Sequence, residues 1–357
     1  MRKKQYIMPI ACVTILFVII YHQYIWGDKL FMFTDVGFDT ISIIHPFADF
    51  IAKSHLGDLN KYSFQIGLGS GVYSNLISAI NPAQAIMYII PSEKVAYLGI
   101  ISMYISTLIS GIFGYRIGKI YSNNNIICTI AAVLLAFSGY ISLWGQQPAF
   151  GSVYSLIIMY TYYFLTCRFE NLYKERMLII SLCLISFIGY YFLYMVGAFS
   201  AIYLIINGIY NRETYKVTVK KIIHLFRDGI LTVFLCAFTL LPSLGMFFNS
   251  SRATNFSTKS MMTIFYSVQY LITDIARVMS SNLLRVGNAY TGAYNYYEGT
   301  ILWCSILSVL TLMLFLMQKN SKKKKRIAVL LICILGLAMP VFTKIITFDE
   351  TKQRWSF

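Results

Sequence analysis

The sequence has few charged residues, and acidic residues are the scarcer kind. Only 12% of its 357 residues are Asp, Glu, Lys or Arg, and Asp and Glu together number 14. Soluble domains carry about twice that share of charge. The four histidines and seven cysteines show no HExxH, CxxC or other zinc-binding spacing. The sequence therefore predicts no metal site and is not that of a cytosolic enzyme or a secreted disulfide scaffold.

Apolar residues make up 57% of the chain, and its mean hydropathy is +0.64. Long apolar stretches alternate with basic clusters, which is typical of helices that cross a bilayer. We therefore predict an all-α polytopic membrane protein, a single transmembrane domain over residues 1–357 with about nine spans. The predicted spans cover about residues 7–25, 95–115, 126–143, 152–167, two short spans within 177–210, then 230–248, 301–317 and 327–346.

The net charge of +16 does not indicate a nucleic-acid partner. Most of the excess Lys and Arg falls in alternate loops, beginning with the N-terminus, and the positive-inside rule places such loops in the cytoplasm. We therefore expect a bacterial cytoplasmic membrane protein with its N-terminus inside and its C-terminus outside. The aromatic segment that ends at Phe357 suggests an N-terminal portion of a longer protein.

Two long loops are predicted outside the membrane, over residues 27–94 and 249–298, and loops of this length are usually functional. The segment DTISIIHPFADFIAK in the first loop has the pattern of an amphipathic helix, and we expect it to lie along the membrane surface. NPAQAIMYIIP, later in the same loop, is too short to span and predicts a second interfacial piece. In the second span, Ser106, Ser110, Gly114 and Gly118 form a small-residue stripe that favours close helix packing.

Asp35 and Asp39 are the candidate catalytic residues. They lie four residues apart in FTDVGFDTISIIHP and would share one face of a helix. A partly desolvated carboxylate can act as a general base on an acceptor hydroxyl. Two close carboxylates could also divide roles or hold a divalent cation. The alternative is that each only caps an interfacial helix. His45, at the end of the same segment, is a candidate substrate-binding residue.

The second loop supplies four candidate phosphate-binding residues, since Arg and Lys pair well with phosphate oxygens. They are Arg252, Lys259, Arg277 and Arg285. Gln146, beside Trp144 and Gln147 in a short loop, could bind a sugar, although this loop could equally be an interfacial belt. No predicted span has a charge near its middle, which argues against an ion-coupled carrier.

Several motifs together resemble the YfhO-like family of bacterial membrane proteins. They are TDVGFDT, FQIGLGSG, INPAQAIMYIIP, NYYEGTILW and RWSF, in this order along the chain. The resemblance implies a GT-C-like integral-membrane glycosyltransferase. Such an enzyme takes a sugar from a polyprenyl-phosphate carrier and attaches it to a cell-envelope polymer such as teichoic acid. It also implies that the catalytic acid lies in the first loop, at Asp35 or Asp39.

The expected partners are therefore a lipid-linked sugar donor, an envelope polymer and membrane lipid, with no further cofactor. Three alternatives stay open from the residues alone, and one of them is a non-catalytic membrane scaffold. A lipid-linked sugar transporter, or flippase, would move the donor without transferring the sugar, and a polysaccharide polymerase would join preassembled glycans.

Overall fold

A computed structural model describes residues 3–32, 40–53, 62–63, 70–71, 85–167, 172–248, 265, 268, 306–318, 326–328, 330–331 and 339. These residues are almost entirely helical. The α-helices are α1 (Ile7–Ile25), α2 (His45–Lys53), α3 (Leu98–Tyr121), α4 (Asn125–Ala136), α5 (Gly139–Trp144), α6 (Pro148–Thr166), α7 (Leu172–Ile188), α8 (Tyr190–Asn211), α9 (Tyr215–Leu235), α10 (Ala237–Phe248) and α11 (Ile306–Met317).

Shorter elements lie mainly in the first loop. Three 3-10 helices (Lys3–Tyr6, Ala85–Tyr88, Ser92–Tyr97) and a π-helical turn (Thr40–Ile44) accompany two strands, β1 (Tyr62–Ser63) and β2 (Ser70–Gly71). The strands pair antiparallel, with Tyr62 opposite Gly71 and Ser63 opposite Ser70.

The chain divides into two compact units. Unit 1 contains Met1–Gly189 and Leu235–Ser243, and unit 2 contains Tyr190–Phe234 and Leu244–Phe357. Unit 1 therefore holds α1 to α7 and the start of α10, whereas unit 2 holds α8, nearly all of α9, and α11.

Within the described residues, four helical segments are long and apolar enough to cross a membrane. A fifth candidate arises if α9 and the adjoining Ala237–Gly245 count as one broken span. The four segments are Ile7–Ile25, Ser92–Tyr121, Asn125–Trp144 and Tyr190–Asn211. The all-helical class and the membrane character agree with the sequence prediction, whereas the count of nine spans is not confirmed.

The distribution of apolar side chains also fits a lipid environment. In α1, Ile7, Ile15 and Ile19 are each more than half exposed, at 63%, 57% and 61%. Conversely, Ser102 and Thr107 of α3 are completely buried. A large exposed apolar surface is costly in water but not in hydrocarbon, so this arrangement is consistent with membrane localisation.

Helix α3 is the central element of unit 1, and its small residues allow close approach of its neighbours. A Cβ atom added at Gly114 would lie 3.2 Å from the Cα of Ala132 in α4, and one at Gly118 would lie 3.0 Å from the Cα of Cys128. Both distances are shorter than ordinary carbon contacts. The predicted packing role of the small-residue stripe is confirmed.

The amphipathic helix predicted in the first loop is present as α2, but its apolar face is covered by protein. Phe47 and Ile51 are buried in a cluster with Ile90, Val95 and Leu98, which come from the end of the same loop and the start of α3. Packing on the protein removes this apolar surface from solvent, so α2 does not need the membrane surface to bury it.

The structure agrees with one predicted helix break and differs from one predicted span. The long apolar stretch 177–210 divides at Gly189, between α7 and α8, and this agrees with the prediction of a break near 189–195. The span predicted over 230–248 is not one helix, since α9 starts at Tyr215 and the helix breaks at Cys236. The carbonyl of Cys236 accepts from the backbone N–H groups of Thr239 and Leu240 and so starts a new helix, α10.

Candidate functional site

Both ends of the segment that carries Asp35 and Asp39 are held near Gly99, the second residue of α3. A Cβ atom at Gly99 would lie 3.7 Å from Cδ1 of Phe31 and 3.8 Å from the backbone oxygen of Gln146. Phe31 precedes the segment, and Thr40, which follows it, is bonded to that Gln146 oxygen. We call this place the Gly99 junction, defined by Phe31, Thr40, Gly99 and Gln146.

Phe31 is fixed at the junction by aromatic packing. It is 5% exposed and belongs to a cluster with Phe17, Tyr21 and Met103 of α1 and α3. The rings of Tyr21 and Tyr24 meet Phe31 edge to face, with centroids 5.5 Å and 5.2 Å apart. Such pairs stabilise a fold beyond their buried area. The chain that leaves α1 is therefore fixed to the helix bundle at Phe31.

Thr40 fixes the other end of the segment. Its Oγ1 donates a 2.8 Å hydrogen bond to the backbone oxygen of Gln146, 106 residues away, and Thr40 itself is 2% exposed. A buried hydrogen bond of this kind is costly to break, because the carbonyl would lose a partner it cannot replace with water. Asp39 is the residue immediately before Thr40 in the sequence.

The loop between α5 and α6 is buried at the junction. Gln146 is completely buried, and its Nε2 donates to the backbone oxygen of Leu143. Trp144 is 8% exposed, with its ring against Phe150 edge to face and stacked with Tyr140. These contacts anchor the loop, and the proposed contact of Gln146 with a sugar stays a prediction.

Several buried polar atoms lack a hydrogen-bond partner in the part of the chain that the structure describes. They include Nε2 of His45, the first residue of α2 and five positions after Thr40, and Oε1 of Gln147, beside Gln146. Leaving a buried polar atom unbonded costs about 1–3 kcal/mol. Such atoms are usually bonded by water or a ligand. The burial of His45 also lowers its pKa, because desolvation disfavours the imidazolium.

The solvent side of α2 carries an ion pair. Asp49 accepts a 2.6 Å hydrogen bond from Lys53, one turn later, and a second bond from the hydroxyl of Ser92. The Lys53 ammonium, followed by the Ser92 hydroxyl, holds the pKa of Asp49 below its usual range. Asp49 therefore stays ionised and tied to its neighbours, which makes it a structural carboxylate rather than a general base.

Most of the sequence-predicted site residues lie outside the described residues. Outside the described residues lie the predicted catalytic pair, Asp35 and Asp39, and the four predicted phosphate-binding residues of the second loop, Arg252, Lys259, Arg277 and Arg285. Their assigned roles stay predictions. Of the two that the structure does describe, His45 lies five residues after Thr40 of the junction, and Gln146 forms part of the junction.

The sequence interpretation missed a buried carboxylate in unit 2. Asp228 in α9 is completely buried, with Nε and Nη2 of Arg227 donating to its Oδ1 at 3.0 Å and 2.8 Å. The span predicted over 230–248 excludes Asp228, whereas α9 begins at Tyr215 and includes it. The helical spacing of Leu225, Asp228 and Thr232 could have indicated this burial, because it places all three on one face of a helix, and these are the buried residues of α9.

Comparison with protein families supplies a classification. Residues 80–356 match the family described as Domain of unknown function (DUF6311). The chain belongs to the DUF6311 family. The DUF6311 region includes Gly99 and Gln146 of the junction, whereas Phe31, Thr40 and His45 precede it. Searches of curated proteins and of solved structures find no match.

Proposed function

We propose that this DUF6311 protein is a membrane glycosyltransferase. It moves a sugar from a polyprenyl-phosphate carrier to an extracytoplasmic cell-envelope acceptor such as teichoic acid. The proposal extends the resemblance to YfhO-like proteins, and the buried residues of the Gly99 junction support it.

The observations that support the proposal are an exposed apolar helix surface and buried polar atoms that have no hydrogen-bond partner among the described residues. A polyprenyl chain needs an apolar surface, which the exposed isoleucines of α1 offer. A sugar needs hydrogen-bond donors and acceptors. Nε2 of His45 and Oε1 of Gln147 are buried polar atoms, unpartnered among the described residues, that a sugar hydroxyl could satisfy.

In this proposal Asp35 or Asp39 is the general base. One carboxylate removes the proton of the acceptor hydroxyl as that oxygen attacks the anomeric carbon, and the lipid phosphate leaves with the electrons of the broken bond. Basic residues of the second loop stabilise the charge on the departing phosphate. These are Arg252, Lys259, Arg277 and Arg285.

The proposed architecture is a GT-C-like bundle of about nine spans with the N-terminus in the cytoplasm and the C-terminus outside. This orientation puts the end of α1 and the start of α3 on the outer face. The Gly99 junction then lies where a lipid-borne donor and a polymeric acceptor can meet.

The test replaces each aspartate separately, as D35N and D39N, in cells whose envelope glycosylation is measured. We expect at least one variant to lose glycosylation while its level in the membrane fraction is unchanged. D49N is the matched control, because it removes a carboxylate from the same loop that is already bonded to Lys53. Full glycosylation in both D35N and D39N would refute the catalytic assignment.

A transporter of lipid-linked sugars is the second candidate, and Asp228 favours it. An ionisable residue buried in an otherwise apolar membrane helix often marks a transport path. Asp228 is completely buried in α9, where Ile223, Phe226 and Phe234 are exposed and the first half of the helix also carries basic residues. If D228N abolishes movement of a labelled lipid-linked sugar across proteoliposomes and no sugar is transferred, the transporter is the better description.

A further inference from the structure

Arg116 lies in a cage of aromatic rings near the C-terminal end of α3. Its Cζ atom is 5.1 Å from the ring centroid of Phe113, 5.4 Å from that of Tyr6 and 5.5 Å from that of Tyr162. Its Nε donates a 3.1 Å hydrogen bond to the Tyr6 hydroxyl. Three elements thus hold one guanidinium group: the 3-10 helix before α1, α3 itself and α6.

The guanidinium has no acidic partner in the described part of the chain. Ion pairs in that part of the chain include Lys53 with Asp49, Lys221 with Glu213 and Arg227 with Asp228, and none of these three involves Arg116. Aromatic faces attract a cation but do not neutralise it. A partly buried charge of this kind is stabilised further by an anion. The cage therefore positions a cation whose counter-ion is not supplied by these residues.

Further positive charge lies at the same end of unit 1. Lys119, three residues after Arg116, donates to the backbone oxygen of Asn123, and its Nζ lies 5.7 Å from the Tyr115 ring centroid. Lys174 at the start of α7 donates to the backbone oxygen of Thr166 at the end of α6. Lys119 is held by a neutral oxygen in its bond to Asn123, so its charge adds to the field around Arg116.

Apolar side chains are exposed beside this basic group. Ile7 and Met8, which directly follow Tyr6, are 63% and 44% exposed, and Ile120 at the end of α3 is 39% exposed. A soluble phosphate ion would leave this surface uncovered. A lipid would place its acyl chains there and its headgroup at the guanidinium.

We propose that Arg116 and its aromatic cage bind the phosphate group of an anionic lipid. The planar guanidinium fork fits two phosphate oxygens at once, and the Tyr6 hydroxyl orients the fork through Nε. The site lies about 25 Å along α3 from Gly99, at 1.5 Å per residue, so it is separate from the Gly99 junction. The proposal is therefore independent of the glycosyltransferase assignment.

The experiment is native mass spectrometry of the purified full chain in detergent, with phosphatidylglycerol or phosphatidylcholine added. The wild type should retain phosphatidylglycerol preferentially. R116Q should bind it about tenfold more weakly, the loss expected for one charge-assisted hydrogen bond or more. R116K keeps the charge but lacks the planar guanidinium, so its affinity for phosphatidylglycerol should lie between those of the wild type and R116Q. Y6F keeps the ring but loses the hydroxyl, and should weaken binding less than R116Q.

R176Q is the matched control, because it removes an exposed arginine from α7 at the same end of unit 1 but outside the cage. It should bind phosphatidylglycerol like the wild type. Equal binding of the two lipids by the wild type, or wild-type binding by R116Q, would overturn the proposal. Loss of bound lipid on addition of millimolar inorganic phosphate would overturn the assignment to a lipid and identify a free-phosphate site. If R116Q does not fold, Y6F and R116K compared with R176Q decide the question.

Discussion

The packing of α3 against α4 can be tested with a single methyl group. A Cβ atom at Gly114 would meet Cδ1 of Leu135 at 3.1 Å, the Cα of Ala132 at 3.2 Å and Cβ of Leu135 at 3.3 Å. Carbon atoms normally pack at about 3.5–4.0 Å. In G114A the two helices must separate by a few tenths of an ångström, and one of the opposing atoms belongs to the backbone and cannot rotate away.

The loss of stability in G114A can be measured against a glycine whose added Cβ atom would contact nothing. Overpacking a well-packed interface typically costs about 1–3 kcal/mol. Gly197 in α8 has nothing within 4 Å of its would-be Cβ. G197A should therefore show only the gain in helix propensity from Gly to Ala, about 1 kcal/mol. Since both variants make the same chemical change in a helix, the difference between them isolates the packing cost.

Equilibrium unfolding of the purified chain by SDS titration, followed by helical circular dichroism, measures both variants. We expect G114A to be less stable than G197A by about 1–3 kcal/mol. G118A should resemble G114A, because its Cβ would lie 3.0 Å from the Cα of Cys128. If G114A and G197A are equally stable, the close approach of α3 and α4 is wrong.

Three further predictions concern the first loop. D49N should lower the stability of the fold only slightly at neutral pH, because the partner Lys53 is 65% exposed. Since the pKa of Asp49 is held low, the stability difference between D49N and the wild type should vanish as the pH falls through that pKa. A difference that stays constant with pH would contradict this. Burial lowers the pKa of His45 in the folded chain, so the unfolded chain binds a proton at this residue at a higher pH than the folded chain does. The wild type should therefore lose stability as the pH falls below about 6.5. H45F should not show this loss in the same titration. T40V should lower the free energy of unfolding in SDS by about 1–3 kcal/mol, because the Gln146 carbonyl loses its hydrogen bond. An unchanged unfolding midpoint would show that this bond does not hold the junction.

Features that depend on local composition could be predicted from the sequence. The predicted first span and α1 have the same bounds, residues 7 and 25, because an apolar stretch between polar ends defines a span by itself. The small residues of α3 also predicted its packing, since a Gly or Ser every fourth residue creates a groove whatever helix fills it.

Features that depend on contacts between distant residues could not be predicted from the sequence. The bond between Thr40 and Gln146 joins residues 106 positions apart, so no local pattern shows that Gln146 is buried rather than free in its loop. Asp228 precedes the span predicted over 230–248, so that prediction did not indicate its burial. Its burial depends on which face of α9 packs inward, and this is decided by tertiary structure.

The most direct test of the account is sugar transfer by the purified chain in proteoliposomes. The liposomes would contain undecaprenyl phosphate carrying one of a panel of labelled hexoses, with teichoic acid supplied as acceptor. The account predicts labelled polymer with the wild type and D49N, and loss of that product in D35N, D39N or both. Labelled lipid that crosses the bilayer intact, without labelled polymer for any hexose, would contradict it.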